Sequence, residues 1–387
     1  MRRALTVARR VLLTLVLVTG LVYGSSWLLT PYSGMARAIA WMESDTGDWR
    51  RFPSRPIRAP AVTSRLTVER PPPELLAAHP TGDNRDLEEF LEDTATTSFI
   101  VMRDDTVLFE WYGNGEARDS FRTSFSVAKS WLSALVGIAI DEGHIRSLED
   151  PITRYVPGLA ERDPRFGRIT LRHLITMSSG LRYEEAPLPW SDDAQTYYAV
   201  DLPDYAIDHS EIVEPPGQRW LYNNYNPLLV GLALERAVGM TVAEYLELKI
   251  WQPIGMEFDG SWSLDSKDSG FEKMESGLNA RAIDYARFGR LYLNQGSWDG
   301  EQVVPRAWVE ASTRRDTETD PAPYYQYFWW VDDAPDADGA FMARGKYSQY
   351  IYVAPADDLV FVRLGDDDGY PNWPGVFRSL IPLLREG

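Results

Sequence analysis

Strand-like segments stand near both ends of the body of this 387-residue chain, and the long stretch between them reads as helical. Ser98-Phe99-Ile100-Val101 and Val107-Leu108-Phe109-Glu110-Trp111 flank the polar Arg103-Asp104-Asp105 and predict a hairpin. Towards the other end, Gln349–Val353 and Leu359–Arg363 alternate around the turn Pro355-Ala356-Asp357-Asp358. Between them, Leu171–Met177, Pro203–His209, Pro227–Val238 and Val242–Ile250 predict helices. Two hairpins separated by helices close into one antiparallel sheet, which brings the ends of the body together. The helical insertion then forms a second lobe, and a cleft lies between lobe and sheet. The expected fold class is α/β (α+β), an antiparallel sheet flanked by helices.

One tetrapeptide adds chemistry to this frame. The chain has five lysines, and one of them closes Ser126-Val127-Ala128-Lys129. A serine hydroxyl is a poor nucleophile unless a nearby base takes its proton. The run Phe125 to Glu142, closed by Gly143, predicts a largely buried helix through Val127, Trp131, Leu132, Leu135, Val136, Ile138 and Ala139. Ser-x-x-Lys at its start stacks the two side chains on one face, where the unpaired first-turn N–H groups favour a developing negative charge.

Composition narrows the remaining classes. The net charge of −18 is spread along the chain, with short acidic clusters such as Asp366-Asp367-Asp368. Phosphate binding needs a basic surface, so no nucleic-acid partner is expected. Without cysteine there are no disulfides, thiolate zinc sites or cysteine nucleophiles. The four histidines (His79, His144, His173 and His209) lie far apart, so no metal is expected. No Gly-x-Ser-x-Gly occurs, which argues against a nucleophile elbow.

At the amino terminus, Arg2, Arg3, Arg9 and Arg10 precede an uncharged stretch from Val11 to Leu29. Its length and flanking charge predict an uncleaved membrane anchor over residues 1–30, with the body on the outer side of a cell membrane. A cleaved signal peptide with Ala38-Ile39-Ala40 as its processing site, giving a secreted body, is the alternative. Residues 31–85, rich in proline and arginine, read as an extended connector, and residues 86–387 as the folded body.

Three further segments follow the tetrapeptide in order. They are Leu171-Arg172-His173-Leu174-Ile175-Thr176-Met177-Ser178-Ser179-Gly180-Leu181, then Pro216-Gly217-Gln218-Arg219-Trp220-Leu221-Tyr222-Asn223-Asn224-Tyr225-Asn226, then Ala343-Arg344-Gly345-Lys346-Tyr347-Ser348-Gln349-Tyr350 before a strand. With these, and with Trp251-Gln252-Pro253-Ile254-Gly255-Met256 at the place of a Pro-Leu-Gly-Met turn, the chain resembles the serine β-lactamase and penicillin-binding superfamily. It is similar in type to the branch of class C β-lactamases, D,D-peptidases, family VIII esterases and 6-aminohexanoate-dimer hydrolases. The resemblance covers about Asp86 to Arg385 and implies a β-lactamase/transpeptidase-like fold.

The resemblance implies Ser126 as the nucleophile of an acyl-enzyme and Lys129 as the holder of its proton network. Tyr222 would be base in acylation and acid toward the leaving group. Asn224 would orient Lys129 or a substrate amide, with Asn223 and Asn226 as alternatives for that asparagine. Gly345 and Lys346 would form the sheet edge, the Lys346 N–H joining that of Ser126 in holding an oxyanion. Glu275, in Glu-Ser-Gly-Leu-Asn-Ala ahead of a helix over Ala282–Leu293, is a further orienting candidate together with Asn279. Trp329 and Trp330 read as core.

One departure narrows the substrate. Penicillin-recognising members carry a cation and a hydroxyl on the sheet edge, where they bind the substrate carboxylate, whereas this chain has Ala343-Arg344-Gly345. A small ester or amide is therefore the expected substrate, with no cofactor. A D,D-peptidase or β-lactamase, and a sensor that is acylated without turnover, are the competing readings.

Overall fold

The computed structural model describes residues 2–28, 34–63, 66–316 and 321–385. Its strands run β1 (Ser54–Ile57), β2 (Thr67–Val68), β3 (Thr96–Arg103), β4 (Thr106–Tyr112), β5 (Arg122–Thr123), β6 (Gly260–Ser263), β7 (Leu278–Ala280), β8 (Ser297–Trp298), β9 (Glu301–Gln302), β10 (Tyr325–Gln326), β11 (Trp329–Val331), β12 (Phe341–Gly345), β13 (Gln349–Ala354) and β14 (Leu359–Gly365). The main sheet has the order β10-β11-β12-β13-β14-β3-β4-β2, so the last strands of the chain pair directly with the first hairpin. All its pairings are antiparallel except β2 with β4.

Side chains alternate across this sheet as the pleat requires. Val360, Val362, Ile351 and Val353 face the core shared with the helix Ala282–Leu293, while Phe361, Leu359, Tyr350 and Tyr352 face the helix Trp373–Leu384. Trp131 of the helix Ala128–Asp141 stacks on Phe288 at 3.7 Å and ties the helical lobe to the layer beneath the sheet. This is the mixed α/β architecture expected from the sequence. The expected helices form within a few residues of their predicted bounds: Leu171–Ile175, Leu202–His209, Tyr225–Val238 and Val242–Leu246, the last continued by a wider turn over Glu247–Trp251.

The amino-terminal segment requires a correction. The helix Arg2–Leu28 forms, but among the described residues no helix is long and apolar enough to cross a membrane. Thr14, Thr19, Gly20 and Gly24 thin the apolar run. The expected single-pass anchor, its membrane contact and the placement of the body across a cell membrane are therefore not upheld. Ala38, the first residue of the alternative processing site, is buried inside the helix Met35–Trp41 against Phe52 and Tyr198. Leu29, and residues 31–33 and 64–65 of the expected connector, lie outside the described residues.

Parts of the remainder of residues 31–85 pack into the fold, among them Phe52, Ile57 and Leu75. β1 pairs with β6 at the edge of a second sheet of order β1-β6-β7-β5. Pro56 is tolerated there because an edge strand leaves one side of its backbone unpaired.

Candidate active site

The second sheet sets the backbone that delivers Ser126. β5 pairs with β7, and the Ser124 N–H donates to the Leu278 carbonyl at 2.9 Å. Phe125 then turns left-handed (φ 46°) with its ring packed edge-on to Tyr347 at 5.6 Å. A single 3₁₀ turn over Phe125–Val127 leads into the helix Ala128–Asp141. Between Arg122 and Ala139, Ser126 alone is not buried. The backbone thus lifts one hydroxyl out of a closed core.

Lys129 lies one turn further on, and its side chain is buried at 1% exposure. Its ammonium donates to Ser126 Oγ at 2.7 Å and to the Glu275 carbonyl at 2.8 Å. The same nitrogen stands 4.9 Å from the centroid of the Tyr222 ring. The Tyr222 ring is held in an aromatic cluster, stacked on Trp330 at 5.9 Å and edge-on to Tyr325 at 6.1 Å. Two backbone bonds fix the segment that carries it, Gly217 N–H to Ser178 O at 2.7 Å and Leu221 N–H to Met177 O at 2.8 Å. The segment Leu171–Leu181 therefore serves as the bed on which Tyr222 is laid.

Burial separates the three candidate asparagines. Asn223 is buried and ties the Leu181 carbonyl to the Tyr225 N–H. Asn226 is buried between Ser179 and Met177. Asn224 is half-buried, donates to Tyr183 Oη at 2.7 Å and to Asp193 Oδ1 at 3.4 Å, and keeps a carbonyl oxygen with no partner among the described residues. Of the three, it alone has an unpartnered acceptor, an oxygen buried from solvent. Burial and the Asp193 carboxylate push the Tyr183 phenol well above its usual range, so Tyr183 stays a neutral hydrogen-bonding group.

On the opposite bank β12 ends at Gly345. A Cβ there would meet Ser124 O at 2.4 Å and Ser126 N at 3.2 Å, so glycine is what allows the strand and the Ser126 backbone to approach. The Lys346 side chain does not stay with them; its ammonium is held by Glu43 Oε1 and Ser44 Oγ, both at 2.8 Å. Arg344 is exposed and lies over the rings of Trp330 and Tyr350 at 5.9 and 5.8 Å, while Ala343 is fully buried.

Glu275 is brought to the site through its backbone. Its carbonyl accepts from Lys129, while its buried carboxylate accepts from Lys273 at 2.9 Å and Ser276 at 2.7 Å. Burial pushes the Lys273 amine down, and the adjacent carboxylate opposes that shift. Asn279 is buried and bonds Ser263 Oγ and the Gly277 carbonyl, both at 3.0 Å, so it braces the loop. Trp330 is half-buried beside Tyr222, whereas Trp329 lies in the core. Sequence reasoning passed over Lys273, Asp193 and Glu43. The nearest signal was the spacing Lys273-x-Glu275, which puts both side chains on one side of an extended segment.

Among the described residues, no group of three histidine, aspartate or glutamate side chains is placed to hold a metal ion. A sequence model described as Beta-lactamase matches residues 84–374. The chain is 28% identical over 318 residues to the 6-aminohexanoate-dimer hydrolase of Paenarthrobacter ureafaciens, covering 76% of this chain and 79% of that one. It is 29% identical over 142 residues to the esterase EstB of Burkholderia gladioli, covering 34% and 36%. A solved Bacillus anthracis structure with a provisional 6-aminohexanoate-dimer hydrolase name superimposes with a TM-score of 0.75 at 24% identity, over 93% of this chain and 95% of that one.

Proposed function

The chain belongs to the Beta-lactamase family as a hydrolase of that fold, related to 6-aminohexanoate-dimer hydrolase and to esterases, and on that footing we propose that it hydrolyses small esters or amides through an acyl-enzyme on Ser126. The observation that carries the reading is the 2.7 Å contact between Lys129 Nζ and Ser126 Oγ at the one opening in a buried helix start. Residues 86–387 form the catalytic domain.

In acylation, Ser126 Oγ bonds to the substrate carbonyl carbon. Its proton passes through Lys129 and Tyr222 to the departing alcohol or amine, whose bond to that carbon breaks. The carbonyl oxygen gains the negative charge, which the N–H groups of Ser126 and Lys346 stabilise across the gap that Gly345 keeps open. Water then attacks the acyl carbon, Oγ recovers its proton, and the acid leaves. Asn224 serves to orient the substrate amide, and the Glu275 carbonyl fixes the Lys129 ammonium.

The exposed Arg344 and buried Ala343 at the sheet edge favour acyl groups recognised without the penicillin carboxylate. A panel of short-chain p-nitrophenyl esters and N-acyl anilides beside nitrocefin tests this. Ester or anilide turnover with little nitrocefin hydrolysis is expected. Efficient nitrocefin hydrolysis with inert esters and anilides would contradict it.

A further inference from the structure

We propose that Arg363 is a positioning residue for the oxyanion side of the site, a role that rests on the reading of Lys346 above. Arg363 lies on β14 and is fully buried. All five of its N–H groups are spent. Nη1 donates to the carbonyls of Tyr347 at 2.5 Å and Ser348 at 3.1 Å, Nη2 to those of Thr94 at 2.8 Å and Asp367 at 3.0 Å, and Nε to Thr96 Oγ1 at 3.2 Å. The guanidinium also lies 4.6 Å from the Trp373 ring centroid. A Cβ on Gly365 would sit 2.3 Å from the guanidinium carbon, so the neighbouring backbone is shaped around this group.

None of its five acceptors is a carboxylate. The carboxylates of Asp366, Asp367 and Asp368 offset its charge at longer range, yet a packed apolar side chain would serve a purely structural position without the cost of burying a cation. What its grip secures is the turn after Gly345. Tyr347 and Ser348 are consecutive left-handed residues (φ 57° and 53°), a conformation that costs a non-glycine residue free energy unless the surroundings enforce it. Arg363 holds both of their carbonyls, and Gln349 Nε2 adds a weaker bond to Tyr347 O at 3.3 Å. Lys346, whose N–H faces the nucleophile in the proposed mechanism, is the residue immediately before this clamped pair. Its geometry is therefore set by a guanidinium that touches no substrate.

The test is Arg363→Lys, which keeps the charge and loses the fork. With p-nitrophenyl acetate, kcat per folded molecule is expected to fall roughly 10-fold or more with KM within about twofold, as for a weakened oxyanion donor. The rate preference for an ester over its thionoester is expected to shrink. Ser348→Gly in the Arg363→Lys background, which relieves the strain at one of the two left-handed residues, is expected to restore part of kcat. A lowered Tm with unchanged kcat would overturn the proposal. If Arg363→Lys does not fold, Gln349→Ala decides: a smaller loss in kcat at constant KM supports the clamp, and an unchanged kcat contradicts it. Fluorophosphonate labelling of the unmodified protein separates the two claims. Label on Ser126 with normal kcat in the variants overturns the clamp alone, whereas an unlabelled Ser126 overturns both.

Discussion

The Lys129 ammonium is held between two oxygens, 2.7 Å from Ser126 Oγ and 2.8 Å from the Glu275 carbonyl, so the group beside the proposed nucleophile is positioned by a backbone atom 146 residues away. Replacing Lys129 by Ala removes the cation from both contacts, and Tyr222→Phe removes only the hydroxyl from a ring whose packing against Trp330 persists. Each variant is expected to lower kcat by about 10²-fold or more while staying folded. Steady-state rates with thermal unfolding as control check this; a near-normal rate in Tyr222→Phe would remove that residue from the mechanism.

The Lys273–Glu275 pair supports that carbonyl, with side chains 1% and 2% exposed. Breaking such a pair leaves a buried charge alone, so Glu275→Ala is expected to cost about 3–5 kcal/mol in denaturant unfolding. Lys273→Met with Glu275→Leu removes both charges and is expected to cost clearly less. A double variant as unstable as the single one would show that packing, and not the unpaired ammonium, dominates.

Lys346 gives a sharper contrast between side chain and backbone. Its ammonium pairs with Glu43 at positions 37% and 77% exposed, where solvent screening leaves less than about 1 kcal/mol. If only its N–H serves the oxyanion, Lys346→Ala is expected to leave kcat within about twofold. A large loss would mean that the ammonium itself acts on the substrate.

Stability carries one defined pH signature. Asp284 is fully buried under the Glu257 and Phe258 N–H groups, and burial pushes its carboxyl up to about 7 despite those donors. A raised carboxyl pKa means that the folded state holds its proton where the unfolded state has released it. Its contribution is therefore complete below about pH 4 and is lost as pH rises to about 7. Asp284→Asn is expected to flatten that part of the Tm–pH curve relative to the unmodified protein. A curve that falls equally in both would assign the slope to other groups.

How much of this was legible in the sequence depended on distance along the chain. Ser126 and Lys129 are one helical turn apart and the alternation of β13 and β14 is local, so short stretches suffice to mark them, although the reading of Ser126 and Lys129 as a site rested on the three later segments. What distinguishes Asn224 from Asn223 and Asn226 is burial, which no local pattern encodes. Glu43 meets Lys346 across 303 residues, and Pro56 hid β1 because a proline-bearing edge strand has no clean alternation. The amino-terminal anchor was the outright failure. Flanking arginines and an uncharged run suggested a span, but among the described residues no helix is long and apolar enough to cross a membrane.

The central claim is that Ser126 becomes acylated and is then released. Mass spectrometry of the intact and digested protein, quenched during turnover of an activated ester, measures this directly. The account predicts an acyl mass increment on the peptide carrying Ser126 that decays after substrate is exhausted and is absent in Ser126→Ala. An adduct on another residue, or undiminished ester turnover by Ser126→Ala, would contradict it.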